Sequence, residues 1–138
     1  VQLSPYLSFN GQCEAAFKLY EQILGAKIEA IFPWEDSPIA DHVPAEWRSK
    51  VMHARLVMGD QELMGADQPP DQYQKSQGFS VSIQLTDSAQ AERIFKALAE
   101  GGTIQMPLEK TFWALRFGML TDRFGIPWMI NCENAVSA

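Results

Sequence analysis

Few side chains in this sequence are reactive enough to do chemistry, and their spacing decides what they can do. There are two histidines. His42 falls in the proline-broken stretch Trp34 to Lys50 (WEDSPIADHVPAEWRSK), where solvent is its natural surrounding. His53 lies in an alternating stretch, on the side of Arg55 and opposite Met52, Ala54 and Leu56, so it lines a ligand cavity or reaches solvent. Imidazole titrates near neutral pH, but no carboxylate close in sequence orients this one, and an unoriented base is a poor catalyst. A hydrogen-bonded strand histidine is the plainer reading. Ser80, Ser82 and Gln84 alternate with Phe79, Val81, Ile83 and Leu85. Hydroxyls and amides without partners are costly to bury, so this stripe faces water or a ligand. Arg116 is a lone strand arginine, suited to an anionic ligand or a surface ion pair. Phe112, Trp113, Trp128 and Met129, with Met58 and Met64, are large soft side chains; Trp128 reads as core and Trp113 as cavity lining. Cys13 and Cys132 form neither a CxxC pair nor a disulfide framework and read as free, buried thiols of a cytosolic protein.

The elements that must position these residues occur twice. Asn10 to Ile28 (NGQCEAAFKLYEQILGAKI) lies over Ser88 to Ile104 (SAQAERIFKALAEGGTI), with Phe17-Lys18 on Phe95-Lys96 and Gly25 on Gly101. The hairpins match as well: Ala54 to Asp60 precedes Glu62-Leu63-Met64, and Ala114 to Met119 precedes Ile126 to Ile130. A duplicated unit that buries one face of a small sheet needs its twin, and the seam between two such units is a natural ligand site.

Leu3 to Phe9 alternates and reads as a strand, and Asn10 is placed to cap the helix that follows. That helix carries Cys13, Ala16, Phe17, Tyr20, Ile23 and Leu24 on one side and is closed by Gly25. Lys27 to Phe32, Val51 to Met58 and Gln61 to Ala66 are the remaining strands of the first module, and the 34 to 50 loop is long enough to be a lid or a partner contact. Asp67 to Gly78 (DQPPDQYQKSQG) links the modules. The pattern restarts with strand Phe79 to Leu85 and a helix capped by Asp87 or Ser88, whose stripe is Ala91, Ile94, Phe95 and Leu98. Thr103 to Met106, Thr111 to Leu120 and Ile126 to Asn131 complete it.

At 138 residues and 46% hydrophobic content the chain has enough material for a real core. No apolar run approaches the roughly 20 residues a membrane span needs, and no basic leader opens the sequence, so a cytoplasmic protein without a membrane partner is expected. The net charge of -6, with Lys and Arg scattered singly, argues against nucleic acid.

Two successive βαβββ units closing around a cup resemble the vicinal oxygen chelate superfamily, which includes glyoxalase I, the bleomycin-resistance proteins and the extradiol dioxygenases. The resemblance covers nearly the whole chain. Within it, Tyr6 to Gly11 (YLSFNG), Met58-Gly59-Asp60 and Phe117 to Trp128 (FGMLTDRFGIPW) resemble the PhnB-like branch, also called 3-demethylubiquinone methyltransferase-like. Nothing resembles a glycine-rich S-adenosylmethionine loop; Asn10-Gly11 and Gly101-Gly102 are isolated turn residues. The resemblance implies a cup where His and Glu from the first and last strands of the modules hold a divalent metal that binds two adjacent substrate oxygens. Here those positions fall near Pro5 and Met64, on Ser80 or Ser82, and near Met129, none a strong ligand. Glu62 and Glu133 are the closest carboxylates, at period-two distances that keep them on the cup face. Met64 and Met129 would instead line an apolar pocket.

The expected fold is therefore α+β: one domain, 1–138, of two tandem βαβββ modules (1–66 and 79–134) forming a curved, cup-shaped mixed sheet with helices outside. A homodimer is expected, since superfamily members commonly pair and exposed sheet edges favour a covering chain. The expected function is small-molecule binding of the bleomycin-resistance type, without cofactor or metal, in a largely apolar cup lined by His53, Glu62, Met64, Ser80, Ser82, Trp113, Met129 and Glu133. Its rival is a metal-dependent lyase, isomerase or dioxygenase using Glu62, Glu133 and His53. A third reading is an interaction module acting through the acidic surface and the 34 to 50 loop.

Overall fold

A computed structural model describes residues 1–133. The last residue of the expected second module, Asn134, lies outside the described residues. Two compact units divide the chain, Val1–Lys75 and the part from Ser76 onward. The first contains β1 (Tyr6–Phe9), α1 (Cys13–Leu24), β2 (Lys27–Pro33), β3 (Val51–Met58) and β4 (Gln61–Asp67). The second contains β5 (Val81–Leu85), α2 (Ser88–Ala99), β6 (Thr103–Glu109), β7 (Arg116–Thr121) and β8 (Pro127–Cys132). Each unit is a four-stranded mixed sheet, ordered β1-β4-β3-β2 and β5-β8-β7-β6, with β1 parallel to β4, β5 parallel to β8 and the other pairs antiparallel. The duplicated α+β order expected from the repeat is the order observed.

One helix covers one face of each sheet. Cys13, Ala16, Phe17 and Tyr20 are the buried residues of α1, at the i, i+3, i+4, i+7 spacing of a single helical stripe. Ala91, Ile94, Phe95 and Leu98 do the same in α2. The phenylalanines that superpose in the repeat each sit over a glycine. A Cβ on Gly65 would lie 3.1 Å from the Phe17 ring, and one on Gly118 would lie 2.7 Å from the Phe95 ring. Removing a side chain from the sheet thus lets an aromatic ring descend onto the backbone and fill the layer at native density.

The helix ends are made differently in the two units. Asn10 does not cap α1: the cap position is Gln12, and its side chain makes no capping bond. Instead the buried Asp67, at the end of β4, accepts from Cys13 N and Val51 N, both at 2.9 Å. A carboxylate distant in sequence therefore satisfies a free helix amide and complements the helix dipole. In α2 the cap is local, with Asp87 accepting from Ala89 N at 2.9 Å and Gln90 N at 3.3 Å.

Strand limits also shift from those expected. β1 begins at Tyr6 rather than Leu3, because its one partner, β4, meets it from Tyr6 opposite Met64, and Leu3 is 94% exposed. β5 begins at Val81 for the same reason, leaving Phe79 outside. The strand expected from Thr111 starts at Arg116, because Thr111 and Ala114 close a tight turn on each other at 3.1 Å in both directions. β6 runs on to Glu109. The 34 to 50 loop is three short 3-10 turns (Trp34–Asp36, Ala40–His42, Ala45–Trp47). Its ends are tied by Trp34 N to Lys50 O (2.9 Å) and Glu35 N to Arg48 O (2.8 Å).

Candidate functional site

Alternation along the strands leaves each sheet with one face under its helix and one open face. In the first unit Leu7, Phe9, Ala54 and Leu56 are buried on the helix side, with Gly65 beneath Phe17. The register then brings Tyr6, His53, Arg55, Glu62 and Met64 together on the open side: Tyr6 and Arg55 both face Met64, and Phe32 faces His53. Three of the expected lining residues, His53, Glu62 and Met64, therefore share this face.

Their partners redefine their chemistry. The Tyr6 hydroxyl and His53 Nδ1 lie 3.0 Å apart, with the imidazole stacked beside both the Tyr6 ring (centroids 5.8 Å apart) and the Phe32 ring (6.5 Å). His53 is oriented after all, by a phenol 47 positions away in sequence rather than by a carboxylate. Burial holds the Tyr6 phenol above its ordinary range, with a smaller contribution from Cys13. Glu62 accepts from Ser4 Oγ at 2.9 Å and from Arg55 Nε at 2.5 Å, while the Arg55 guanidinium also reaches Glu29 at 3.5 Å. These bonds, that of Ser4 first and that of Arg55 next, hold the Glu62 carboxyl below the usual carboxylate range. Both its oxygens are engaged, which makes Glu62 an anchor of this face rather than a spare ligand.

In the second unit Trp128, Ile130 and Cys132 are buried on the helix side. Trp128 donates its indole N–H to Asp122 Oδ2 at 2.9 Å, consistent with its reading as core. On the open face Ser82 lies opposite Met129, Gln84 and Phe117 lie opposite Asn131, and Met119 lies opposite Met129. A hollow of about 520 Å³ opens here, walled by Phe79, Met119, Pro127 and Met129 with Ser80 and Thr121 among its polar edges. Next to it runs a side-chain ladder: Gln84 Nε2 donates to Ser82 Oγ (2.6 Å), and Asn131 Nδ2 donates to Gln84 Oε1 (2.7 Å) and Glu133 Oε1 (3.1 Å). Trp113 reaches the same neighbourhood by packing edge-on against Phe117, with centroids 5.3 Å apart. Ser80, Ser82, Trp113, Met129 and Glu133 thus all belong to this unit's open side.

Asn131, Phe117, Tyr6 and Arg55 also belong to these faces, although sequence reasoning did not select them as lining, and so does Gln84, which the alternating Ser80, Ser82, Gln84 stripe had marked as facing water or a ligand. Counting by twos from Met129 reaches Asn131 and then Glu133, a signal that was present in the strand period. The Tyr6 and Ser4 contacts left no such signal, because they depend on β1 lying beside β4. Arg116 is a surface ion-pair member, 3.3 Å from Glu92, and His42 is exposed.

A glyoxalase-type metal does not fit the residues present. Met64 and Met129 offer weak thioethers, Pro5 offers no side-chain donor, and Ser80 and Ser82 offer neutral hydroxyls. Among the described residues no three of His, Cys, Asp and Glu come together as a potential cation site.

Known proteins bear the same stamp. The chain is 34% identical to Protein YjdN of Escherichia coli K12 over 94% of its own length and 93% of that protein. It is 52% identical to protein PA1353 of Pseudomonas aeruginosa, whose crystal structure superposes with a TM-score of 0.89 over 98% of this chain and 99% of that one. The fosfomycin resistance protein FosX of Listeria monocytogenes, at 9% identity, shares the fold with a TM-score of 0.64 over 97% of this chain and 94% of its own. The family described as 3-demethylubiquinone-9 3-methyltransferase matches residues 1–131, and the chain belongs to that family.

Proposed function

We propose that the chain is a small-molecule binding protein of the glyoxalase and bleomycin-resistance type, within the vicinal oxygen chelate superfamily, whose ligand seat is largely apolar and uses no metal. The observation that carries this reading is the hollow of about 520 Å³ lined by residues 76–80 and by β6, β7 and β8, with Met129 in its wall where the superfamily resemblance implies a ligand to metal. Its volume falls within the roughly 300–1,000 Å³ of small-molecule sites, and two methionines, Met119 and Met129, give it an adaptable lining. The methyl transfer in the family's description is not part of this reading, because Asn10-Gly11 and Gly101-Gly102 are isolated turns and not a phosphate- or nucleoside-cradling loop.

We further propose that the protein acts in the cytoplasm as a homodimer. The free, buried thiols of Cys13 and Cys132 and the one-sided pairing of the outer strands support this. Among the described residues no helix is long and apolar enough to cross a membrane.

A thermal-shift screen of small apolar and aromatic molecules, run in excess EDTA, tests the function. The expected result is a set of stabilising compounds whose effect is indifferent to chelation. Stabilisation only after a divalent metal is restored would favour the metal-enzyme reading instead.

A further inference from the structure

Among the described residues, none that lines the hollow carries a charge. A charged ligand would give up hydration there and gain no counter-charge in return. Phe79, 48% exposed, lines the hollow together with the thioethers of Met119 and Met129, which are cross-strand partners on β7 and β8. An aromatic ring gains from both, by offset or edge-on contact with the phenyl ring and by contact with the polarisable sulfurs.

The polar edge of the hollow contains one organised pair. Gln105 Nε2 donates to Thr121 Oγ1 at 3.0 Å, and both residues line the hollow. The pairing of β6 with β7 passes from Ile104–Leu120 to Met106–Met119 and skips Gln105, so β6 bulges there. Bulges take a side chain out of the regular ladder and recur beside binding sites. Gln105 is exposed and Thr121 half-buried, so neither is closed to a ligand. Their mutual bond uses one N–H and one lone pair, which leaves Gln105 Oε1 as an acceptor and the Thr121 O–H as a donor. Turned over, the amide would offer N–H donors beside the lone pairs of a donating Thr121 hydroxyl. In either setting the pair presents a donor and an acceptor together. A hydroxyl is the small neutral group that satisfies both.

Building on the proposed binding function, we infer that the ligand is an uncharged aromatic molecule carrying a hydroxyl group. Its ring lies against Phe79, Met119 and Met129, and its hydroxyl bonds to the Gln105–Thr121 pair. The pair therefore selects among apolar molecules, since one without the hydroxyl leaves both side chains to water.

Five matched probes test this by calorimetric titration of the full chain at pH 7 in EDTA: 2-naphthol, naphthalene, decahydro-2-naphthol, 2-naphthoate and 2-naphthylmethylamine. The naphthol is expected to bind roughly five- to tenfold more tightly than naphthalene, which is the worth of a hydrogen bond near solvent. It is expected to bind several-fold more tightly than its saturated counterpart and at least about tenfold more tightly than either charged probe. In Gln105→Met, an exposed change that removes the amide, the naphthol-to-naphthalene ratio is expected to fall close to one. Thr121→Val is expected to lower the ratio as well, and Gln105→Met decides alone if Thr121→Val does not fold. A naphthol preference untouched by Gln105→Met, or charged or saturated probes that bind as well as the naphthol, would overturn this inference and leave the binding function standing. Failure of all five probes to bind would overturn both.

Discussion

The Glu62 carboxylate spends its lone pairs on Ser4 and Arg55, and that expenditure has a pH signature. Its folded pKa lies below the ordinary 4.5, so ionisation is favoured more in the folded chain than in the unfolded one. The resulting stability is fully present above the unfolded pKa and is lost as pH falls through the folded value. Glu62→Gln should therefore lower the urea midpoint at pH 7, and the gap from wild type should close as the pH drops below about 4. A gap that persists unchanged into acid would show that the charge on Glu62 contributes nothing. Cys13 offers a second residue-scale check. Burial first, then Asp67 and Glu14, push its thiol far up, so it should resist iodoacetamide at pH 8 until the protein is unfolded. Rapid alkylation of native Cys13 would contradict its placement under the sheet. Glu62, Glu133 and His53 were visible in the sequence as candidates, but their roles were not. Those of His53 and Glu62 are set by partners brought close by strand pairing, Tyr6 for His53 and Ser4 and Arg55 for Glu62, and pairing across 47 positions has no local signature. Glu133 meets Asn131, two residues back in the chain.

Elements were more legible than residues, because a period of two or of 3.6 repeats over many positions and survives single exceptions. The stripes of α1 and α2 and the two open sheet faces all follow from it. The cap of α1 did not follow, since Asp67 supplies it from the far end of β4. The start of β7 was also hidden, because alternation cannot tell a strand from the turn closed by Thr111 and Ala114. The face assignments can be tested by paired truncations. Phe95, 7% exposed and over Gly118, should cost roughly 3 to 5 kcal/mol when changed to Ala. Ser82→Ala, on the open face, should cost far less, because its hydroxyl is shared with Gln84 at an exposed position. Equal large losses of denaturation midpoint in both variants would mean that the two faces of β5 are assigned wrongly.

At the scale of the whole molecule, the duplication that the sequence displays is what makes two helices and two sheets of the same order. Among the described residues the outer strands of each sheet are paired on one side only, and Ile104 (49% exposed) and Met106 (44%) stand out on β6. Unpaired edges with exposed apolar residues invite a second chain. The proposed homodimer should sediment as such at micromolar concentration and melt at a temperature that falls on dilution. A compact monomer whose melting temperature ignores dilution would refute it. The central claim is narrower: the hollow walled by Phe79, Met119, Pro127 and Met129 is proposed to seat an apolar small molecule without metal. Titration of EDTA-treated protein with a compound from the thermal-shift screen, in parallel with Met129→Gln, tests it most directly. Saturable binding to the chelated wild type, weakened about tenfold or more in Met129→Gln as a polar amide replaces the thioether in the wall, is the predicted result. Binding that appears only on adding a divalent metal, or that is indifferent to the substitution at Met129, would contradict the account.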